Sequence, residues 1–151
     1  MQLGMIGLGR MGANMVRRLM QRGHECVVFD ANADAVRALT DTGAKGAASI
    51  DEFIALLRPP RAVWIMLPVP VVEGVVKTVA THLQAGDILI DGGNSPFENA
   101  IRRAETLGPA GIHFLDVGTS GGVWGLERGY CLMIGGAREA VQRLEPVFRD
   151  L

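Results

Sequence analysis

The sequence reads Gly7-Leu8-Gly9-Arg10-Met11-Gly12 near its N-terminus, which is a G-x-G-x-x-G pattern. The pattern directly follows an apolar run, Gln2 to Ile6, and precedes a segment with apolar residues at helical spacing, Met11 to Gln21. The motif alone carries little information, but between a strand and a helix it is typical of a loop that holds the pyrophosphate of a dinucleotide.

Each glycine of this loop has a separate physical task. Gly7 would permit a tight turn, Gly9 would let the backbone approach a pyrophosphate, and Gly12 would let the helix pack closely on the strand. The helix N-terminus would then present free N–H groups and a partial positive charge to the phosphates. Arg10 either contacts the pyrophosphate or is a solvated surface charge. We expect the whole loop to bind the cofactor, including the intervening residues Leu8, Arg10 and Met11.

Beyond this loop, short apolar runs alternate with amphipathic segments to the end of the chain. Such alternation predicts βαβ units. We therefore predict one α/β domain over residues 1–151, with a doubly wound, mostly parallel sheet of the Rossmann type. The further strands are predicted at Glu25–Asp30, Ala62–Leu67, Asp87–Asp91, Ile112–Val117 and Tyr130–Ile134. The further helices are predicted at Ala33–Thr40, Ser49–Leu57, Pro70–Leu83, Ser95–Leu107 and Ala137–Phe148, with Ser49 and Ser95 as the expected caps.

Composition argues against several classes of protein. The 151 residues are 48% hydrophobic and 21% charged with a net charge of −1, which argues against a nucleic-acid-binding surface. No apolar run is long enough for a membrane span. The two cysteines, Cys26 and Cys131, lie in apolar runs, and we expect both to be buried free thiols of a cytoplasmic protein. The three histidines are scattered, so we predict no metal site.

An aspartate closes the second predicted strand. Asp30 lies 18 residues after Gly12 and is followed by Ala31 and Asn32. A carboxylate at this place accepts hydrogen bonds from the adenosine ribose and repels a 2′-phosphate, and no arginine follows it to bind such a phosphate. The sequence therefore favours NAD over NADP as the cofactor. The competing interpretation is an aspartate that only caps a helix or closes a turn.

Three more loops follow predicted strands. Leu67 and Pro68 come after the central strand, where they either border the cofactor or only start the next helix. Asp91-Gly92-Gly93-Asn94-Ser95 offers an amide, Asn94, that can both donate and accept hydrogen bonds. The segment Asp116–Gly122 ends the next strand in a similar way. Because the carboxyl ends of parallel strands meet at one edge of a sheet, we expect these loops to gather there and to shape a polar substrate pocket.

Longer stretches resemble a known family. Gly4 to Met15 is similar to the opening of the β-hydroxyacid dehydrogenase superfamily. The segments Asp91–Ser95 and Ser120-Gly121-Gly122 are typical of its 6-phosphogluconate dehydrogenase branch, and Val123 to Gly136 resembles the shorter, bacterial, NAD-preferring subgroup. The chain is thus identified as a member of that branch, and the resemblance covers nearly all of it.

The resemblance implies an activity and a set of site residues. Members oxidise 6-phosphogluconate at C3 by hydride transfer to nicotinamide, and loss of CO2 then gives ribulose 5-phosphate in the pentose phosphate pathway. By the same resemblance, Asn94 would contact both the nicotinamide side of the cofactor and the substrate, while Ser120-Gly121-Gly122 would bind the carboxylate and hydroxyl groups of the substrate. Asp30-Ala31-Asn32 replaces the Asn-Arg-Thr of NADP-type members, in agreement with NAD.

The resemblance also implies parts that these residues do not supply. The family's catalytic Lys and Glu, its phosphate-binding groups and its main dimer contacts lie in a helical C-terminal domain. We therefore expect that domain beyond Leu151, in a homo-oligomeric full-length enzyme, and we expect the 151 residues alone to be inert. Val123 and Trp124 replace two family glutamates, which leaves the contacts of this loop open. The alternatives are another β-hydroxyacid dehydrogenase, of the 3-hydroxyisobutyrate or tartronate semialdehyde type, and a non-catalytic nucleotide-binding module.

Overall fold

The computed structural model, which describes residues 1–151, contains one central sheet of seven strands. The strands are β1 (Gln2–Ile6), β2 (Glu25–Phe29), β3 (Lys45–Gly46), β4 (Ala62–Ile65), β5 (Ile88–Asp91), β6 (His113–Ser120) and β7 (Cys131–Gly136). Their order is β3-β2-β1-β4-β5-β6-β7, with the first six parallel and β7 antiparallel to β6. The strand order reverses between β1 and β4, which is the switch point where a doubly wound sheet binds its ligand. The predicted fold class is confirmed.

Seven helices cover the sheet: α1 (Arg10–Gln21), α2 (Ala33–Thr40), α3 (Ile50–Ala55), α4 (Val69–Ala80), α5 (Phe97–Leu107), α6 (Gly125–Arg128) and α7 (Arg138–Asp150). Core residues of α1, α2 and α7 pack on one face, and those of α3, α4 and α5 pack on the other. Successive residues of β4 show this division, because Trp64 belongs to the first core cluster while Val63 and Ile65 belong to the second. None of the helices combines the length and the apolar character needed to cross a bilayer.

The observed elements differ from the predicted ones in several places, mostly by one to three residues at their ends, and the four-residue helix α6 is not predicted. The strand β3 is not predicted, since its two residues are too few to show an alternating pattern. Helix α4 starts at Val69, one residue before the predicted Pro70, and ends at Ala80, short of the predicted Leu83. Strand β7 covers Cys131–Gly136, whereas the prediction covers Tyr130–Ile134. Element ends depend on tertiary contacts that a local pattern does not contain.

The expected cap at Ser95 is wrong. Helix α5 begins at Phe97, and no side chain caps it. The Ser95 hydroxyl instead donates a hydrogen bond to the carboxylate of Asp91, with Oγ 2.6 Å from Oδ2. Ser49, by contrast, caps α3 as predicted, because its Oγ accepts a hydrogen bond from the N–H of Glu52 at 3.1 Å. A neighbouring carboxylate therefore decides what an otherwise suitable capping serine does.

The two cysteines differ in their environment. Cys26 of β2 is buried, and burial raises the pKa of its thiol from 9.0 to about 12. Cys131 is exposed, so the expectation that both thiols are buried is wrong for Cys131. Cys131 lies on the edge strand β7, where Leu132 and Ile134 pack against the core while the alternate residues Cys131 and Met133 are exposed. An apolar strand at the edge of a sheet buries one of its faces only.

We predict that Trp64→Ala lowers the free energy of unfolding by about 3–5 kcal/mol, because removal of a large buried side chain leaves a cavity. Trp64 is fully buried, and its ring makes an edge contact with Phe148 of α7 at a centroid distance of 6.1 Å. Urea denaturation followed by circular dichroism measures the change. The matched control is Trp124→Ala, which should cost less than about 1 kcal/mol because Trp124 is 57% exposed. Equal losses in the two variants would contradict the difference in burial.

We predict that only one thiol of the native protein reacts with an aromatic disulfide reagent at about pH 8. Cys131 is exposed, whereas Cys26 is buried and its raised pKa keeps it protonated at that pH. Absorbance of the released thiolate counts one equivalent in buffer and two in denaturant. In Cys131→Ser the fast reaction should disappear, and a Cys26→Ser variant should retain it. Two fast equivalents in the native protein would show that Cys26 is accessible.

Candidate functional site

The glycine loop joins β1 to α1 and is shaped by backbone contacts. Gly7 has a φ of +95°, in the left-handed region that favours glycine, and its N–H donates to the carbonyl of Phe29 on β2 at 3.0 Å. A side chain on Gly12 would overlap the carbonyl oxygen of Gly7, so only glycine lets α1 start this close to β1. This geometry agrees with the tight turn predicted at Gly7 and the close packing predicted at Gly12.

The N-terminus of α1 is open toward the end of the sheet. No side chain caps it, and its first turn holds no acidic residue. Nothing lies within 4 Å of the position that a Cβ would take on Gly9, so space remains beside the backbone. Arg10 is exposed in the first turn, while Leu8 is buried below it. Uncapped N–H groups with open space in front of them are what a pyrophosphate requires of a protein.

Asp30 lies half-buried directly after β2, beside the glycine loop. Its Oδ2 accepts a hydrogen bond from the N–H of Leu8 at 2.6 Å, and its Oδ1 accepts one from the N–H of Asn32 at 2.8 Å. Asn32, rather than Asp30, caps α2 by accepting from the N–H of Asp34 at 3.0 Å. The carboxylate is thus held at the border of a cleft of about 440 Å³. Each of its oxygens has a second lone pair, which leaves acceptor capacity for a ribose hydroxyl.

A second cleft, of about 300 Å³, opens beyond the glycine loop and the loop after β5. Asn94 and Met11 both line it, so the predicted amide and the glycine loop meet across this space. The segment Leu67-Pro68 lies between the two loops, because the Leu67 side chain is next to Gly7 and its carbonyl is next to Gly93. Segments predicted separately from the sequence are therefore neighbours. The remaining lining residues are Met66, Gly92, Gly93, Gly118, Thr119 and Met133.

Only part of the last predicted segment, Asp116–Gly122, lines this cleft. Ser120 is the final residue of β6, and Ser120-Gly121-Gly122 stands outside the lining. Gly118 and Thr119, which belong to the same predicted segment but were not singled out as substrate ligands, line the cleft instead. Their position at the carboxyl end of a parallel strand is a signal that could have identified them. The cleft therefore takes in the glycine loop, the loop after β5 and the end of β6.

Two carboxylates stand side by side on β5 and β6, and one of them, Asp116, lines a separate groove between α5 and β7. Asp91 on β5 and Asp116 on β6 are partners in the parallel register. Burial raises the pKa of the Asp116 carboxyl, the negative charge of Asp91 raises it further, and the guanidinium of Arg103 partly offsets both effects. Asp91 is fully buried and forms an ion pair with Arg103. The proximity of Asp91 and Asp116 is not predicted, because it depends on which strands are neighbours and on their register.

A doubly wound sheet whose switch point carries such a loop is a Rossmann-type dinucleotide-binding domain. Comparison with known proteins identifies the family. The family model for the NAD binding domain of 6-phosphogluconate dehydrogenase matches residues 2–151 of this chain. The chain therefore belongs to this family, as the sequence resemblance implied.

Relatives show which cofactors the family uses. The NAD(+)-dependent, decarboxylating 6-phosphogluconate dehydrogenase of Haloferax volcanii is 45% identical over 149 residues, which are 98% of this chain and 49% of that protein. The NADP(+)-dependent, decarboxylating enzyme of Bacillus subtilis is 34% identical over 155 residues, or 99% of this chain and 33% of that one. The structure of Plasmodium falciparum 6-phosphogluconate dehydrogenase superposes with a TM-score of 0.91 at 26% identity, covering 98% of this chain and 33% of the other. The chain spans half or less of the length of these relatives.

We predict that Gly9→Ala weakens dinucleotide binding about tenfold while changing the free energy of unfolding by less than about 0.5 kcal/mol. A methyl group on Gly9 meets no protein atom within 4 Å, but it would occupy the space in front of the backbone. Gly12→Ala is the comparison variant and should lose both binding and stability, because its methyl group overlaps the Gly7 carbonyl. Calorimetric titration and urea denaturation give the two quantities. Full affinity in Gly9→Ala would remove this backbone from the phosphate site.

Proposed function

We propose that this chain is the NAD-binding half of a two-domain enzyme that oxidatively decarboxylates 6-phosphogluconate to ribulose 5-phosphate. The observation that carries the proposal is the arrangement around the glycine loop, with the Asp30 carboxylate on one side and the Asn94 cleft on the other. A dinucleotide that lies across the switch point has its pyrophosphate at the loop and one nucleoside on each side. Family membership supports the choice of reaction.

The adenosine side of the site favours NAD. The two backbone hydrogen bonds to Asp30 hold its carboxylate in one orientation, and the side chain takes part in no ion pair. An unpaired negative charge at this position attracts ribose hydroxyls and repels a 2′-phosphate. Arg37 lines the same cleft, but its guanidinium is bound to Asp34. The 45% identity to an NAD(+)-dependent relative supports the same choice.

The opposite side of the site is suited to the reacting groups. NAD, when bound, supplies the nicotinamide ring that accepts a hydride. Asn94 offers a donor and an acceptor at the cleft beyond the loop, where a ring carboxamide or a sugar hydroxyl can bind. Ser120-Gly121-Gly122 would contact the sugar acid from the neighbouring loop. The acid–base groups, a Lys and a Glu, would come from the helical C-terminal half of a homo-oligomeric enzyme, so the 151 residues bind cofactor without turning over substrate.

We predict that the chain binds NAD at least about tenfold more tightly than NADP, and that Asp30→Ala weakens NAD binding while narrowing this difference. Loss of the carboxylate removes both the acceptors for the ribose and the repulsion of a 2′-phosphate. Calorimetric titration of the isolated chain with each nucleotide measures both effects. Asp41→Ala is the control, because it removes an exposed aspartate from the end of the neighbouring helix α2. Unchanged NAD affinity in Asp30→Ala would exclude Asp30 from the site.

The reaction is tested with the longer protein that contains this domain. With 6-phosphogluconate and NAD we expect matched formation of NADH and CO2, followed by absorbance and by carbonate capture. The isolated 151-residue chain serves as the control and should form neither product. NADH without CO2, or no turnover of this sugar acid, would favour another β-hydroxyacid dehydrogenase. Lack of any turnover with hydroxyacids would favour a nucleotide-binding module.

A further inference from the structure

A buried carboxylate lies directly beneath the loop that carries Asn94. Asp91 at the end of β5 is fully buried, and Arg103 of α5 is only 4% exposed. The guanidinium Nη1 of Arg103 donates to Oδ2 of Asp91 at 2.6 Å. Burial of such a pair is costly, and apolar residues of similar volume often give equal or better stability. The pair therefore calls for an explanation other than stability alone.

The remaining hydrogen bonds of Asp91 are directed at its own loop. Its Oδ1 accepts from the N–H of Gly93 at 2.9 Å, and its Oδ2 accepts from the hydroxyl of Ser95 at 2.6 Å. Asn94 lies between these two residues. One carboxylate thus holds the residue before Asn94 and the residue after it, while Asn94 itself is exposed and lines the open cleft.

Arg103 is itself held from a second helix. Glu73 of α4 accepts a hydrogen bond from Nε of Arg103, with its Oε2 at 3.2 Å, and the same oxygen forms an ion pair with Nη2 at 3.2 Å. Burial raises the pKa of the Glu73 carboxyl, but the hydrogen bond from Arg103 and the charges of Arg103, Arg102 and Lys77 outweigh that effect and lower the pKa overall. The loop is therefore tied through Asp91 and Arg103 to two helices, and its position does not depend on local backbone contacts alone.

We propose that Asp91 is the positioning residue for Asn94. It does not touch the cofactor, but it keeps the Asn94 amide aimed at the nicotinamide half of the bound dinucleotide. The assignment rests on the proposed function, since it assumes that NAD crosses the glycine loop with its nicotinamide toward the Asn94 cleft. If Asp91 acts in this way, it affects only the contribution of the nicotinamide half to the affinity, because the adenosine and phosphate groups are bound by other loops.

The same strand supplies a matched control. Asp87, directly before the other end of β5, is also fully buried and also pairs with an arginine, Arg61. Its carboxylate accepts from the Arg61 N–H at 2.6 Å, from the Arg61 guanidinium at 3.1 Å and from the N–H of Gln84 at 3.0 Å. Asp87 lies at the edge of the sheet opposite to the glycine loop. Asp87→Asn therefore perturbs a comparable buried network without reaching the site.

The test compares NAD with ADP-ribose, which lacks the nicotinamide, by calorimetric titration of the 151-residue chain. We expect Asp91→Asn to weaken NAD binding about fivefold, the value of roughly one hydrogen bond, with ADP-ribose binding unchanged. Asp87→Asn should leave the ratio of the NAD affinity to the ADP-ribose affinity unchanged, although it destabilises the fold. An equal loss for both ligands in Asp91→Asn, or no loss for either, would overturn the assignment.

Two further variants keep the test decisive if Asp91→Asn does not fold. Ser95→Ala removes one of the three hydrogen bonds that Asp91 accepts. It should weaken NAD binding about twofold while leaving ADP-ribose binding unchanged. Asn94→Ala should lose the advantage of NAD over ADP-ribose, and adding Ser95→Ala to it should have no further effect, since coupled residues are not additive. Additive losses would overturn the positioning role. Failure of the unaltered chain to bind ADP-ribose would instead refute the proposed function, and the assignment with it.

Discussion

The contact between the backbones of Gly7 and Gly12 is the constraint on which the site depends. It brings the start of α1 to the end of β1, so that the uncapped amides of the first turn face the switch point of the sheet. The other end of α1 is fixed by Arg18, whose guanidinium donates to the carbonyls of Leu126 and Asp150 at 3.2 and 2.9 Å. A single helix therefore begins at the proposed phosphate site and, through Arg18, orients α6 and α7 near its other end.

Features that depend on local pattern could be predicted from the sequence. The order of strands and helices follows from apolar periodicity, and the glycine loop and Asp30 follow from their places at the ends of strands. The partners of the buried side chains could not be predicted. The bond from Leu8 to Asp30 and the pair Asp91–Arg103 depend on which strands are neighbours and how α5 lies on the sheet. Ser95 has a capping pattern, but the competing acceptor is visible only in three dimensions.

Sequence pattern also does not show which surface a strand leaves uncovered. Cys131 lies in an apolar run, yet β7 is the last strand of the sheet and has a helix on one face only. Its exposed neighbour Met133 is 65% exposed, as is Phe97 on α5, and a groove of about 250 Å³ lies between α5 and the end of β7. Apolar character predicts burial in a central strand such as β4 but not at an edge. The same limit applies to the segment Asp116–Gly122. Its position at the edge of the sheet could be predicted, but which of its residues line the cleft could not.

The distribution of charge along the carboxyl edge of the sheet connects these points. Three aspartates stand near it: Asp30 directly after β2, Asp91 at the end of β5, and Asp116, which pairs with Asp91 in the middle of the longer strand β6. The charge of Asp91 is neutralised by Arg103, and the raised pKa of Asp116 reflects burial beside Asp91. Asp30 is partly exposed beside the glycine loop and has no cationic partner. Negative charge is therefore presented where ribose hydroxyls would lie, while the cleft at Asn94 offers a neutral amide above a carboxylate that is already paired. A dinucleotide with a free 2′-hydroxyl at one end and a carboxamide at the other matches both environments.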